Sequence, residues 1–162
     1  MTTQNIKPDT AWGELSGLGQ AEREDKMRAR YQELAKLSES ERVDRLFAMA
    51  QAEYSLNDER LRPFTTSRMR VWIGMDLETA KTVVASYDKA MEVMPGVAAM
   101  RRVTLVQNLA MTFSLEEQSK LRVLVPKIFA GRGDIAQLVK ETAATKQAPA
   151  EKKKSGWGPF KK

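Results

Sequence analysis

Residues 76–131 constrain the fold most, because they contain three consecutive amphipathic helical patterns with a clear boundary after each. The first pattern follows Asp76, whose carboxylate can accept hydrogen bonds from the free amides of a first helical turn. Pro95 and Gly96 predict the end of this helix. Its apolar positions are spaced alternately by three and four, as on one face of a helix; they are Leu77, Ala80, Val84, Tyr87, Met91 and Met94.

Two further helices are predicted directly after this boundary. Apolar residues recur through residues 97–113 over an arc wide enough to indicate contacts on more than one side of the helix. Ser114 and Glu117 have the spacing of a capping box in front of the third helix. We expect Pro126 to kink that helix and Gly131 to end it. Connections this short require the three helices to pack as antiparallel or steeply crossed neighbours.

The preceding part of the chain has the same helical character. Helices are expected over residues 20–37 and 38–54, the second opened by another capping box. Pro63 is expected to break the chain into a short turn and a new helix that begins at Thr65 or Thr66. Since alternating β patterns are rare, the sequence predicts an all-α protein.

A length of 162 residues suits one domain. We interpret residues 1–19 as an irregular, flexible N-terminal arm, residues 20–140 as the helical domain and residues 141–162 as a flexible tail. The domain is expected to be a compact bundle, or a short right-handed stack of helix pairs, of five to seven amphipathic helices. Residues 38–54 and 114–129 both show a cap followed by apolar positions, but any capped amphipathic helix does so, and no sequence repeat is predicted.

Cysteine and histidine are both absent from the chain. The first absence excludes disulfides, thiolate metal sites, iron–sulfur clusters and cysteine nucleophiles. The second removes the commonest general base and the commonest transition-metal ligand. The remaining acidic residues have the positions of first-turn acids at helix N-termini. We therefore expect neither a cofactor, nor a metal, nor enzymatic activity.

Positive charge is concentrated at the C-terminal end of the sequence. The net charge is +6, and residues 140–162 contain seven lysines and two glutamates, which leaves residues 1–139 with a net charge of about +1. A domain that neutralises several phosphates concentrates cations on its folded surface. The sequence therefore argues against nucleic acid as a partner.

The last eleven residues combine lysines with two aromatic side chains. Each lysine contributes about 1 kcal/mol near an anionic lipid surface, and tryptophan prefers the interfacial zone. The same aromatic residues can instead anchor the tail on a protein partner, and a merely solubilising, disordered end is the third interpretation. The candidate membrane- or partner-binding residues are Lys152, Lys153, Lys154, Trp157, Phe160, Lys161 and Lys162.

Methionines suggest a second candidate surface. Met91, Met94 and Met100 flank the corner at Pro95, where flexible thioethers would suit an adaptable partner surface. The alternative is that they fill gaps in the core. If they are exposed, a homo-oligomer is the simplest explanation.

Together these features predict a non-catalytic adaptor or accessory subunit. Its helical body would bind a protein partner or itself, and its tail would tether it to an anionic membrane surface or a larger complex. The alternative is a small ligand-binding protein or enzyme with an internal pocket near Trp72 and Tyr87, where one of the arginines at 60, 62, 68 or 70 would face inward. No apolar stretch approaches a membrane span or a secretory signal, so we expect a cytoplasmic protein, or one peripheral at the inner face of a membrane.

Overall fold

The computed structural model describes residues 5–130, which contain eight α-helices and no β-strand. The predicted all-α class is confirmed. A single 3-10 turn, Leu15–Gly17, follows the first helix. The helices are α1 Thr10–Glu14, α2 Gln20–Ala35, α3 Glu39–Glu53, α4 Asp58–Gly74, α5 Leu77–Glu92, α6 Gly96–Ala110, α7 Leu115–Leu124 and α8 Pro126–Ala130.

The six helices α2 to α7 begin at a constant interval of 19 residues. Four of the six caps are hydrogen-bonding side chains, of which Ser38 and Ser114 accept from the amide three residues later. An apolar residue precedes each cap, in the position that fixes how the chain enters a helix. The expectation that the chain has no repeat is therefore wrong. The six N-cap residues are Gly19, Ser38, Asn57, Asp76, Pro95 and Ser114.

The fourth helical position strengthens this repeat. Arg23 in α2 and Arg42 in α3 each donate from Nη1 to the carbonyl oxygen of the apolar residue before the cap, at 2.8 and 2.7 Å. Gln118 takes the same place in α7, where its Nε2 donates to the carbonyl of Phe113 at 2.9 Å. All three side chains are buried. A long polar side chain at this position therefore satisfies a backbone acceptor outside the helix.

Helices in the unit that ends at Val125 pack most extensively on the helix two positions away in the chain. Thus α2 packs on α4, and α3 packs on both α1 and α5. Arg23 Nε donates to Ser67 Oγ at 2.9 Å across the α2–α4 contact, and Arg42 Nε donates to Ser86 Oγ at 2.7 Å across the α3–α5 contact. The two bonds are related by the 19-residue interval, so successive repeats are joined in the same way.

The N-terminal arm and Pro63 require corrections. Residues 10–17 are helical, and Trp12 is buried, because its ring fits between the rings of Tyr31 and Phe64. Helix α4 continues through Pro63. Both Glu59 and the proline lie on the exposed side of α4, where water can bind the carbonyl that proline leaves free.

Pro126 interrupts the last predicted helix rather than kinking it. Helix α7 ends at Leu124, and Pro126 is the first residue of α8, where its missing amide hydrogen costs no helical bond. Helix α8 belongs to a second unit and is described by itself. The predicted stop at Gly131 and the predicted tail lie outside the described residues.

Candidate functional site

A surface groove of about 530 Å³ lies between α4 and α6. Helix α6 lines it with one face along most of its length, and the first turns of α4 form the opposite wall. These two helices pack on each other far less extensively than α2 and α4 do. The lining residues are Asp58, Leu61, Arg62, Val97, Met100, Arg101, Thr104, Leu105 and Asn108.

The helical repeat explains why this groove is apolar. Leu61 and Leu105 follow Arg23 and Ser67 by 38 residues, which is two repeats, so they occupy equivalent positions in the next pair of stacked helices. Arg23 and Ser67 join α2 to α4 by a buried hydrogen bond. Leucines at the equivalent positions can form no such bond, and they line the groove instead. The groove thus lies where the sequence loses the polar bond of the earlier repeat.

Exposed apolar side chains are confined to the second half of the described region. Scattered exposed apolar residues are normal, but clusters beside a groove indicate an interaction surface. Val97 and Met100 are 82% and 68% exposed, and both line the groove. Within residues 5–130 the exposed large apolar residues are Leu77, Val93, Val97, Met100, Met111, Leu115 and Val123.

The predicted methionine surface is only partly present. Met100 is exposed and lines the groove, while Met94 is half-buried. Met91 is buried, because it lies on the inward face of α5, and it is therefore no part of an exposed surface. Sequence reasoning missed Leu61 and Val97, although the 38-residue spacing from Arg23 to Leu61 was a signal that could have indicated the groove. The seven tail residues lie outside the described region.

Charged groups of both signs stand at the rim of the groove. Arg101 donates to the backbone oxygens of Tyr54 and Leu56 and to Asp58 Oδ1, at 2.8, 3.0 and 2.6 Å. The Asp58 side chain nevertheless remains 89% exposed. Arg62 is exposed, and its guanidinium makes no hydrogen bond or ion pair to any residue of the 5–130 region. One fixed cation, one accessible anion and one unpaired cation are thus available to a partner.

The region around Trp72 and Tyr87 holds a buried ion pair. Arg68 and Glu53 are fully buried, with 2.9 Å between Nε and Oε2. The Arg68 guanidinium carbon lies 4.6 Å from the Trp72 ring centre and 4.9 Å from that of Tyr87. The guanidinium therefore occupies the space between the two rings, in the geometry of a cation–π interaction on each.

The four arginines of this region point to different partners. Arg60 donates to Ser16 at 3.5 Å, and Arg70 lies over the ring of Phe113. Arg68 is buried against Glu53, and Arg62 lines the groove. They do not converge on one anion site.

All three tyrosines of the chain, Tyr31, Tyr54 and Tyr87, are buried near Arg68. Burial raises the pKa of each phenol, although the positive charge of Arg68 acts in the opposite direction. Folding therefore favours the protonated phenols. Their contribution to stability is complete below the ordinary pKa of about 10 and is lost as the pH rises through the folded values.

We accordingly expect no phenolate absorbance from the folded protein near pH 10, and a rise only together with alkaline unfolding. The measurement is a pH titration of phenolate absorbance and circular dichroism on the same sample. The urea-unfolded protein is the control and should titrate near pH 10. A tyrosine that ionised near pH 10 while the helical signal remained native would contradict the burial of these side chains.

Two further properties apply to the described region. No helix in it is long and apolar enough to cross a membrane. Residues 5–130 also contain no group of three acidic side chains that could hold a metal ion. Comparison with protein families, with curated proteins and with solved structures finds no match to this chain.

Proposed function

We propose that this protein is a non-catalytic adaptor or accessory subunit. Its helical body binds a protein partner or a second copy of itself, and its C-terminal tail tethers the assembly to an anionic membrane surface or a larger complex. The observation that carries the proposal is the α4–α6 groove, because Val97 and Met100 expose apolar side chains beside it. A location in the cytoplasm, peripheral at the inner face of a membrane, belongs to the same proposal.

The regular start of six helices supports a body built for interaction. A constant interval of 19 residues, with packing between alternate helices, is what a short stack of helix pairs requires. Such stacks present extended surfaces made of successive repeats. We therefore favour the stack over the simple bundle, and its right-handed sense stays a prediction.

The interior offers less support for a ligand-binding protein or enzyme. Such a function needs an internal cavity with an unpaired charged group facing into it. The space between Trp72 and Tyr87 holds the Arg68 guanidinium, which is paired with Glu53. No observation favours that candidate over the adaptor.

The tail is proposed as the tether because of its composition. Its five lysines account for most of the net charge of +6, and Trp157 and Phe160 add two aromatic side chains. Attraction of about 1 kcal/mol per lysine near an anionic surface is enough for weak, reversible binding. Because both terms are weak singly, we expect binding to depend on lysines and aromatics together.

Liposome flotation of the full-length protein tests this tether. We expect flotation with anionic vesicles and none with neutral vesicles, and a loss at high salt because the attraction is screened. Replacing Lys152, Lys153, Lys154, Lys161 and Lys162 by glutamine should abolish it. The variant Trp157→Ser with Phe160→Ser should weaken it.

The matched control removes five exposed lysines from the body instead of the tail. Both variants reduce the net charge from +6 to +1, so only their positions differ. Equal loss of flotation in the two variants would show that net charge, not the tail, drives binding. No flotation by the intact protein would end the lipid proposal and leave a protein complex as the tail's target. The control lysines are Lys7, Lys26, Lys36, Lys81 and Lys120.

A further inference from the structure

The rim of the α4–α6 groove contains accessible charges of opposite sign. Asp58 and Arg62 lie one helical turn apart on α4, and both line the groove beside Val97 and Met100. We propose that the occupant of this groove is a second copy of the chain, related by a two-fold axis that passes between Asp58 and Arg62. The inference rests on the proposed function, since it names the partner of the same surface.

Symmetry is the reason for preferring a second copy. A two-fold interface places the same surface patch on both subunits, so every group must meet its complement within that patch. A rim with charges of one sign would repel itself. With the axis between them, Asp58 faces the partner's Arg62, and Arg62 faces the partner's Asp58. The charges are therefore complementary to their own copy.

Both charges are free to make these contacts. Asp58 accepts a hydrogen bond from Arg101 through Oδ1, and its side chain is 89% exposed. Its Oδ2 atom has no partner among residues 5–130. Arg62 is likewise exposed, and its guanidinium is unpaired in that region. Pairing across the axis would satisfy both groups without breaking a bond that the single chain makes.

The apolar residues supply the driving force for association. Val97 is 82% exposed and Met100 is 68% exposed, whereas Leu61 and Leu105 at the groove are buried. A second copy would remove the exposed pair of each chain from water. Burial of apolar surface at the centre, with charges at the rim, is the usual arrangement of a specific interface.

A dimer would also change how the tail works. Two copies carry two lysine-rich tails, so binding of the second tail to an anionic surface becomes intramolecular. Weak tails would then hold the assembly more firmly than either tail alone. Dimer formation through the groove would thus couple the helical body to the tether.

Sedimentation of the full-length protein from roughly 1 to 500 µM tests the dimer. We expect the mass to rise from 18.3 kDa toward twice that value. Val97→Asp should raise the dimer Kd at least about tenfold, because it places like charges together in the apolar centre. Leu115→Asp is the matched control: Leu115 is 80% exposed but does not line the groove, and its replacement should leave the Kd unchanged.

Charge reversal tests the symmetry itself. Asp58→Arg and Arg62→Asp each place like charges opposite each other in a two-fold dimer, so each variant alone should be monomeric. An equal mixture of the two should dimerise, because both contacts across the axis then join opposite charges. Arg60→Asp, on the same helix but away from the groove, is the charge control and should dimerise like the natural protein.

A chain that stays at 18.3 kDa throughout the series overturns the dimer. So does a dimer that Val97→Asp does not weaken, or a charge-reversed mixture that stays monomeric while both variants keep native circular dichroism. Failure of the proposed function is separate. A monomeric chain that floats through its tail rejects only the dimer, and a groove-dependent dimer that never floats supports the dimer and rejects the lipid tether.

Discussion

Replacing Arg68 by methionine is expected to destabilise the protein by about 3–5 kcal/mol, because it leaves the Glu53 carboxylate buried without its cation. Both side chains are fully buried, with 2.9 Å between Nε and Oε2. Arg68 Nη2 also donates to the Tyr54 hydroxyl at 3.1 Å, and Thr65 donates to Glu53 at 3.0 Å. Urea unfolding followed by circular dichroism measures the loss.

A double variant separates the ion pair from the packing. Glu53→Leu combined with Arg68→Met removes both charges, so it should be more stable than either single variant. Losses that simply add would contradict a coupled ion pair. The control is the ion pair of Lys89 with Glu39, which also joins α5 to α3 but is more than half exposed. Replacing Lys89 by methionine should leave stability nearly unchanged, because water screens the pair.

Replacing Trp12 by alanine is expected to cost about 3–5 kcal/mol, as for other large buried aromatic side chains. The Trp12 side chain is 1% exposed, and its ring centre lies 5.4 Å from that of Tyr31 and 5.6 Å from that of Phe64. Both contacts are edge-to-face, which stabilises aromatic pairs. The free energy of unfolding in urea, followed by far-ultraviolet circular dichroism, checks this value.

The neighbouring Thr10→Ala is the control, because Thr10 is exposed in the same short helix. It should leave stability within about 0.5 kcal/mol of the natural protein. A similarly small change for Trp12→Ala would mean that α1 is not docked in solution. The large expected difference arises because Asp9 fixes α1 from two sides. It accepts from the Trp12 amide at 3.0 Å and pairs with Arg30 at 2.7 Å.

The two stability predictions also bear on function. The Arg68 ion pair and the Trp12 cluster hold the N-terminal helices together through buried contacts. The groove involves neither of them. A variant of Val97 can therefore alter association without loss of the fold, which makes association and stability separable by experiment.

Local chemistry determined where most helices lie. Asp76 and Ser114 each accept a hydrogen bond from the amide three residues later, as their residue types predict. Met27 and Tyr31 lie on the predicted apolar face of α2, and both are buried. Such features depend on residues within one or two helical turns, so the sequence alone is enough to find them.

Features that depend on distant residues could not be predicted in this way. Trp12 has only two other apolar residues, Leu15 and Leu18, in its immediate segment, and its burial depends on Tyr31 and Phe64, 19 and 52 positions later. Pro63 normally favours a helix break, but packing of α4 on either side of it outweighs one lost hydrogen bond. In both cases a tertiary contact overrides the local tendency.

The sequence by itself determined the all-α class, the caps, the concentration of positive charge in the tail and the absence of cysteine and histidine. Only the tertiary structure decided that Arg68 binds Glu53 rather than facing a pocket, that Met91 is buried and that Val97 borders a groove. The physical reason is that caps and charge are local properties of the chain. Burial depends on which helices meet, and here alternate helices meet at 19-residue intervals that show clearly only once their starts are known.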